Sequence, residues 1–302
     1  RGGHEVKVLS AFHHYEPEAV AVIGPDSTPL TLTTASVLGV FLVPSISYEV
    51  SMASMSLKRF YPSFMRTIPS DRQQVKAIFQ LLQHFGWTLV KILVDTKVNV
   101  TVVFSSRQNA RSFFEVVVQR NVTGMVWVGS EDWSLARAVW QVPGIQRIGL
   151  VLGIWQRKAL RLNVPAARHG LHDLLGCASG TCSKGPVYPW QLLQKIKQVN
   201  FTLYKSHISF DATGDIRKGY NIVMWKWNGP SWAFGVIGTF RVNPDRLSVD
   251  DDKILWHTED GQAPTSVCTK PCQPGERRQQ WNRHRCCFNC VACPSGTFLN
   301  RS

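Results

Sequence analysis

Apolar positions in the first 150 residues alternate between two spacings. Compact apolar runs read as buried strands, and runs with apolar residues three and four apart read as helices. Residues 19–23 (AVAVI) predict a strand ended by Gly24-Pro25-Asp26, and residues 31–40 predict a helix. Residues 41–48 (FLVPSISY) predict a second strand, with Pro44 marking an edge or a bulge. Ser70-Asp71-Arg72-Gln73 has the form of a capping box, in which the Ser hydroxyl and the Gln side chain satisfy free amides at a helix start. Behind it Val75, Ile78, Phe79 and Leu82 predict one apolar helix face, and Gly86 ends the helix. Residues 88–94 (TLVKILV) predict the next strand.

The alternation continues with strands at 102–104, 125–128 and 149–153 and a helix at 108–119. Repeated βαβ units imply parallel sheets covered by helices. Residues 189–199 predict a helix with Leu192, Ile196 and Val199 on one face. The rhythm then changes. Residues 220–227 (YNIVMWKW) and 232–237 (WAFGVI) flank Asn228-Gly229, which predicts an antiparallel hairpin. A different module begins after Ala263-Pro264.

Cysteine usage sets that module apart. Only Cys177 and Cys182 precede residue 268, whereas Cys268, Cys272, Cys286, Cys287, Cys290 and Cys293 follow within a short span. Zinc would use pairs spaced by two residues, which Cys287, Cys290 and Cys293 offer. A disulfide framework would need an oxidising compartment. The N-x-[ST] sites at Asn99, Asn121, Asn200 and Asn300 favour the second reading, because glycosylation acceptors belong to secreted surfaces. Adjacent Cys286-Cys287 also suits disulfides better than a shared ion.

The net charge of +14, from 34 Lys+Arg against 20 Asp+Glu, raises the question of nucleic acid. The basic residues are scattered, and the densest group, Arg277, Arg278, Arg283, His284 and Arg285, lies inside the cysteine-rich segment. A solvated basic surface accounts for this, while a basic zinc or nucleic-acid-binding protein stays open as an alternative. There is no run of 18 apolar residues, no signal peptide, and Arg1 is not a natural start. The chain reads as a mature piece or a fragment.

Enzyme signatures are missing: there is no G-x-G-x-x-G, P-loop, H-E-x-x-H or G-x-S-x-G. His13-His14 with Glu16 and Glu18 reads as a polar loop rather than a metal site, since adjacent residues in an extended segment point apart. The informative residues sit at strand-to-helix junctions, where open α/β sheets bind ligands. Ser27-Thr28 and Ser51 offer hydroxyls, and Asp71 and Glu131 offer carboxylates. A zwitterion such as an amino acid needs both kinds of group. Ordinary helix capping is the commoner explanation of the same residues at this level.

AVIGPDST, ISY, RTIPSD, FGWT, VFSSRQ, VWVGSED, PGIQRIG, GLHDLLGCASGTC, VYPWQLL and CCFNCVACPSGTFLN together resemble the ectodomains of class C G-protein-coupled receptors of the type 1 taste family. The match runs in order over nearly the whole chain and is nearest to the umami-sensing form. The resemblance implies an α/β, two-lobed periplasmic-binding-protein-like (venus flytrap) domain followed by a small disulfide-rich module. It implies no enzyme activity, cofactor or metal. It divides the chain into lobe 1 (1–86), lobe 2 (87–154), a return to lobe 1 (155–205), the end of lobe 2 with the hairpin (206–264) and the start of the cysteine-rich domain (265–302).

Carried over residue by residue, Thr28 and Ser51 hold an L-amino acid's carboxylate, and Asp71 and Glu131 engage its ammonium group. Arg107 and Arg137 serve a purine 5'-nucleotide enhancer, although two flanking positions that are polar in the family are Ala136 and Ala138 here. The implied disulfides are Cys177–Cys182, Cys268–Cys287 and Cys272–Cys290, with Cys286 and Cys293 left without partners. The implied partner is the third family member in a heterodimer, with a G protein engaged only through a transmembrane domain in the full receptor at the plasma membrane. Compared with the family, about sixty residues are missing after Asp95, a similar number between roughly Ile154 and Arg168, and part of lobe 1 at the start (segments approaching half a typical domain). A truncated, non-binding relic of the receptor is therefore the second reading.

Overall fold

The computed structural model describes residues 19–87, 99–156, 160–177, 181–182, 185–203, 206–258, 260–266, 269, 272–280, 288–294 and 296. The His13-His14 loop and the strand expected at 88–94 lie outside them. In chain order the elements begin with β1 (Val22–Ile23), α1 (Thr28–Val40), β2 (Ser45–Ser47), β3 (Phe64–Arg66) and α2 (Asp71–His84). Next come β4 (Val100–Val103), α3 (Arg107–Gln119), β5 (Met125–Gly129), α4 (Glu131–Ser134), α5 (Arg137–Trp140) and β6 (Gly149–Trp155). After these stand α6 (Leu160–Leu174), α7 (Pro189–Lys197), β7 (Asn200–Leu203) and β8 (Ser206–Ser209). The last are β9 (Tyr220–Asn228), β10 (Ser231–Arg241), β11 (Arg246–Val249), β12 (Glu276–Gln280) and β13 (Phe288–Ala292).

The chain forms two compact units, residues 1–72 with 157–218 and residues 73–156 with 219–302. The division differs from the expected lobes in two places. Helix α2 was expected in the first lobe, but Ala77, Ile78 and Leu81 pack under β4, β5 and β6 of the second unit. Residues 206–218 were expected in the second lobe, but Ile208, Phe210 and Ile216 pack with α6 and α7 in the first.

Unit 1 is built on the parallel sheet β1-β2-β3. Side chains alternate across a strand, so each residue type meets its own layer. Ile46 and Met65 face Leu162, Ala166, Leu192, Leu193 and Ile196 of α6 and α7. Phe64 packs in a separate cluster with Ala35 of α1, Val50 and Met55. The two covering helices cross closely at Gly170, where a Cβ would lie 2.6 Å from Ile196 Cγ1. The expected apolar run at 41–48 yields only a three-residue strand, because Phe41 and Leu42 form a turn.

Arg66 closes β3 and is fully buried. Its Nε donates to Asp215 Oδ1 at 2.7 Å, and one terminal nitrogen donates to Asp215 Oδ2 at 3.0 Å and to Ser56 Oγ at 2.5 Å. The other donates to the carbonyls of Met52 at 2.8 Å and Val50 at 3.3 Å. All five guanidinium N–H groups are therefore used. Thr67 and Asn163 of α6 hydrogen-bond through their side chains, and Asn163 Nδ2 donates to the Ile46 carbonyl at 3.2 Å. Lys58 Nζ donates to the Phe64 carbonyl in the same region. Gly214, at φ +71°, leaves space for that ammonium, since a Cβ there would lie 2.7 Å from it.

Unit 2 carries a six-stranded sheet in the order β11-β10-β9-β6-β5-β4. Strands β4, β5 and β6 run parallel, and β9, β10 and β11 add antiparallel. Helix α2 covers one face over Val126, Val128, Leu150, Leu152, Ile222 and Met224. Helices α3, α4 and α5 cover the other over Trp127, Val151 and Trp225. Burial on both faces explains why β5 reads as one apolar run. The buried indoles find carbonyl acceptors: Trp127 donates to Ile148 at 3.0 Å, Trp133 to Val103 at 2.9 Å, and Trp225 to Ser134 at 2.5 Å.

Local expectations need three corrections. The buried face of α2 is Gln74, Ala77, Ile78 and Leu81, while Val75 and Phe79 are 53% and 58% exposed. Both stripes have helical spacing, and tertiary packing selected the one containing small Ala77. The capping box is half formed: Ser70 Oγ accepts from the Arg72 N–H at 3.2 Å, but Gln73 Oε1 is buried without a partner. The hairpin turns on Gly229-Pro230, since Asn228 already pairs with Ser231 and Gly229 takes φ +57°.

Two stability predictions follow from unit 1. Removing one partner of a buried ion pair strands the other, at a cost of about 3–5 kcal/mol. Arg66→Met should lower the urea-unfolding free energy by about 3 kcal/mol or more, and a loss below about 1 kcal/mol would contradict the buried pair. Lys58 is the second case: burial depresses its pKa from 10.5 to about 8, against the opposing pull of Asp215. Between those values the unfolded chain binds the proton that the folded chain has released, so stability rises with pH from about 8 to 10.5. Below about 8 the burial cost is fully present. Stability measured across that range should rise in the wild type more steeply than in Lys58→Met.

Candidate ligand-binding site

Each unit brings its candidate residues to the carboxyl ends of its parallel strands, the edge at which α/β sheets bind ligands. In unit 1 the strand registers Val22 with Ser45 and Ser45 with Phe64 align the three exits. Thr28 follows β1 as the first residue of α1. Ser51 follows β2, and Asp71 follows β3 as the first residue of α2. The Asp71 N–H donates to the Ser51 carbonyl at 2.8 Å, which joins those two directly.

Local chemistry holds these exits in place. Ser45 Oγ and Ser47 Oγ donate to the carbonyls of Gly24 and Pro25, both at 3.2 Å, fixing the β1 exit against β2. Ser27 precedes α1 without making a side-chain cap, and Pro29 has no N–H to satisfy. The side chains of Thr28, Ser51 and Asp71 make no hydrogen bond or ion pair with any described residue. All three are half-buried. The capping explanation for the two hydroxyls therefore fails in the structure: Thr28 is the first residue of α1 rather than its cap, and neither hydroxyl makes a capping bond. Two free hydroxyls, helix-start amides and one free carboxylate form a surface that can bind a carboxylate and an ammonium group.

In unit 2, Glu131 opens α4 just past β5, and Arg107 opens α3 just past β4. Ser106 Oγ accepts from the Asn109 N–H at 3.3 Å and caps α3. Asp132 Oδ2 accepts from the Arg107 N–H at 2.8 Å, and its Oδ1 lies 3.8 Å from the Arg107 guanidinium. Arg107 is thus already matched by an acidic neighbour. Arg137 opens α5 and is exposed, between half-buried Ala136 and Ala138. Ser134 Oγ donates to the Ile154 carbonyl at 2.9 Å and ties α4 to β6, which fixes the position of Glu131 on the sheet edge.

Sequence reasoning missed the residues that support the first set. Arg66 and Asp215, with Asn163 bonded to Thr67, hold the strand that leads to Asp71. An arginine ending the apolar run Phe64-Met65 was the available signal, because such a charge is buried only with a partner.

Cys177 and Cys182 form a disulfide, as do Cys272 and Cys290. Cys268, Cys286 and Cys287 lie outside the described residues, and Cys293 has no disulfide partner among the described ones. Cys272, Glu276 and Cys290 cluster, but two of these sulfurs are already bonded to each other. That overturns the zinc alternative, which needed Cys290 as a free thiolate. Asn99, Asn121 and Asn200 are exposed, and Asn300 lies outside the described residues.

Residues 2–100 match the receptor family ligand binding region, and residues 263–302 match the nine cysteines domain of family 3 G-protein-coupled receptors. Taste receptor type 1 member 1 of Homo sapiens is 39% identical over the whole chain and 49% of its own length. The chain is a homologue of the type 1 taste receptors. The Mus musculus member 1 is 36% identical over the same shares, and member 2 of Cebuella pygmaea is 30% identical over 96% of this chain and 48% of its own length. The chain spans about half the length of these relatives. The first alignment covers 409 positions against 302 residues here, so 107 positions of the taste receptor have no counterpart. That total is close to the two interior shortfalls expected from the family pattern.

The taste-receptor relatives are plasma-membrane receptors with an extracellular ligand-binding region, not enzymes. Among the described residues no helix is long and apolar enough to cross a membrane.

Proposed function

We propose that this chain is the L-amino-acid-sensing region of an umami-type taste receptor. Thr28 and Ser51 receive the ligand carboxylate, and Asp71 and Glu131 receive its ammonium group. The observation that carries this reading is the unpartnered set Thr28, Ser51 and Asp71 at adjacent strand exits, within the part of the chain that matches a receptor ligand-binding region. Polar groups left without partners on a preorganised edge cost little to engage with a ligand. Signalling would follow from a population shift, in which the ligand favours the closed state of the two lobes. The third family member is the proposed partner in a heterodimer, and coupling to a G protein would belong to the transmembrane part of the full receptor. A purine 5'-nucleotide at Arg107 and Arg137 would have to compete with Asp132 and would meet alanines on either side of Arg137.

A second reading keeps the ancestry without the binding. The 107 uncovered positions and the exposed apolar residues Val75 and Phe79 favour it. Thermal unfolding of the secreted, glycosylated chain separates the two. A ligand at a hundred times its dissociation constant stabilises the folded state by about 2.7 kcal/mol. The sensing reading predicts a cooperative transition that rises with millimolar L-glutamate or another L-amino acid, and a rise that vanishes in Thr28→Val and Asp71→Asn. A transition that no L-amino acid moves would support the relic.

A further inference from the structure

We propose that unit 2 holds a second ligand site, separate from the amino-acid residues, that binds a small apolar carboxylate. It is a depression of about 340 Å³ between the β9–β10 hairpin and residues 255–257. That size lies at the lower end of the range for small-molecule sites. Leu150, Met224, Ala233 and Leu255 supply apolar walls, and Lys226, Asn228 and His257 supply the polar groups. Leu255 is 65% exposed, an apolar side chain that a bound hydrocarbon would shield from water.

The placement of Lys226 gives the site its charge preference. Lys226 lies two residues beyond Met224 and shares its face of β9. Its stem crosses Gly235 of β10, where a Cβ would lie 2.7 Å from Lys226 Cε. Neither Lys226 nor His257 makes a hydrogen bond or ion pair with any described residue. One ammonium, one imidazole and one amide over apolar walls suit a monoanion with a hydrocarbon tail better than a multiply charged phosphate.

The site is distinct from the residues assigned to the amino acid. Leu150 stands near the amino end of β6, and the antiparallel pairing of Leu152 with Met224 carries Lys226 and Asn228 to that same end. Glu131 and Arg107 stand at the carboxyl ends of the parallel strands. Residues 255–257 also lead towards Pro264, whose carbonyl accepts from Trp87 Nε1 at 2.8 Å. A ligand here joins the hairpin to the segment that enters the cysteine-rich module.

Isothermal titration of the secreted chain with sodium octanoate, using octanol as the uncharged comparator, tests this. Saturable one-site octanoate binding is expected, with octanol at least tenfold weaker. Lys226→Met and Leu255→Asp should each weaken octanoate at least tenfold, the first by removing the cation and the second by placing a carboxylate beside it. Both positions are exposed, and a retained cooperative unfolding transition confirms that each variant is folded. No saturable heat in the wild type, equal binding of octanol, or unchanged affinity in both folded variants would overturn the proposal. Since no amino acid is used, the result is independent of the amino-acid reading.

Discussion

A buried guanidinium organises the first unit. Arg66 sits at the end of β3 with no solvent exposure, and its side chain is acceptable there only because every N–H has an acceptor. Those acceptors come from three separate stretches: Val50 and Met52, Ser56, and Asp215. Asp215 is positioned in turn by Asp211, whose Oδ1 accepts from the Asp215 N–H at 3.0 Å and the Thr213 N–H at 2.8 Å. Residues far apart in sequence are thereby held in one geometry. The two strand exits that carry Ser51 and Asp71 depend on it, because Ser51 follows Val50 directly and Asp71 follows Arg66 by five residues.

Much of the fold was legible in the chain. Strong periodicity placed α3, β5, α7 and the β9–β10 pair close to their observed bounds. Where the sequence misled, two patterns of equal quality competed. Val75-Ile78-Phe79-Leu82 and Gln74-Ala77-Ile78-Leu81 are both helical stripes, and only the packing of α2 on the sheet distinguishes them. Residues 41–44 are apolar, but Pro44 and the turn at Phe41-Leu42 leave only Ser45–Ser47 to pair. The Arg66–Asp215 pair spans 149 positions and has no local signature, so the support of the site stayed hidden while its polar residues did not.

The site itself was legible as chemistry rather than as geometry. Hydroxyls and carboxylates at strand-to-helix junctions pointed to a zwitterion, but capping was the commoner explanation of the hydroxyls until the structure showed Thr28 and Ser51 free of capping bonds. Similarity to taste receptors supplies the receptor context, and the missing 107 positions supply its main qualification. The exposed Val75 and Phe79 on α2 are apolar surface that a longer chain could cover.

Amide hydrogen exchange with and without millimolar L-amino acid reports where the ligand acts on the chain. If the strand exits hold the amino acid, exchange slows at residues 28–31, 51–52, 71–74 and 131–134, with the remaining sheet amides unchanged. Exchange that stays the same at all four segments, or that slows only elsewhere, would contradict the assignment of the strand exits to the amino acid.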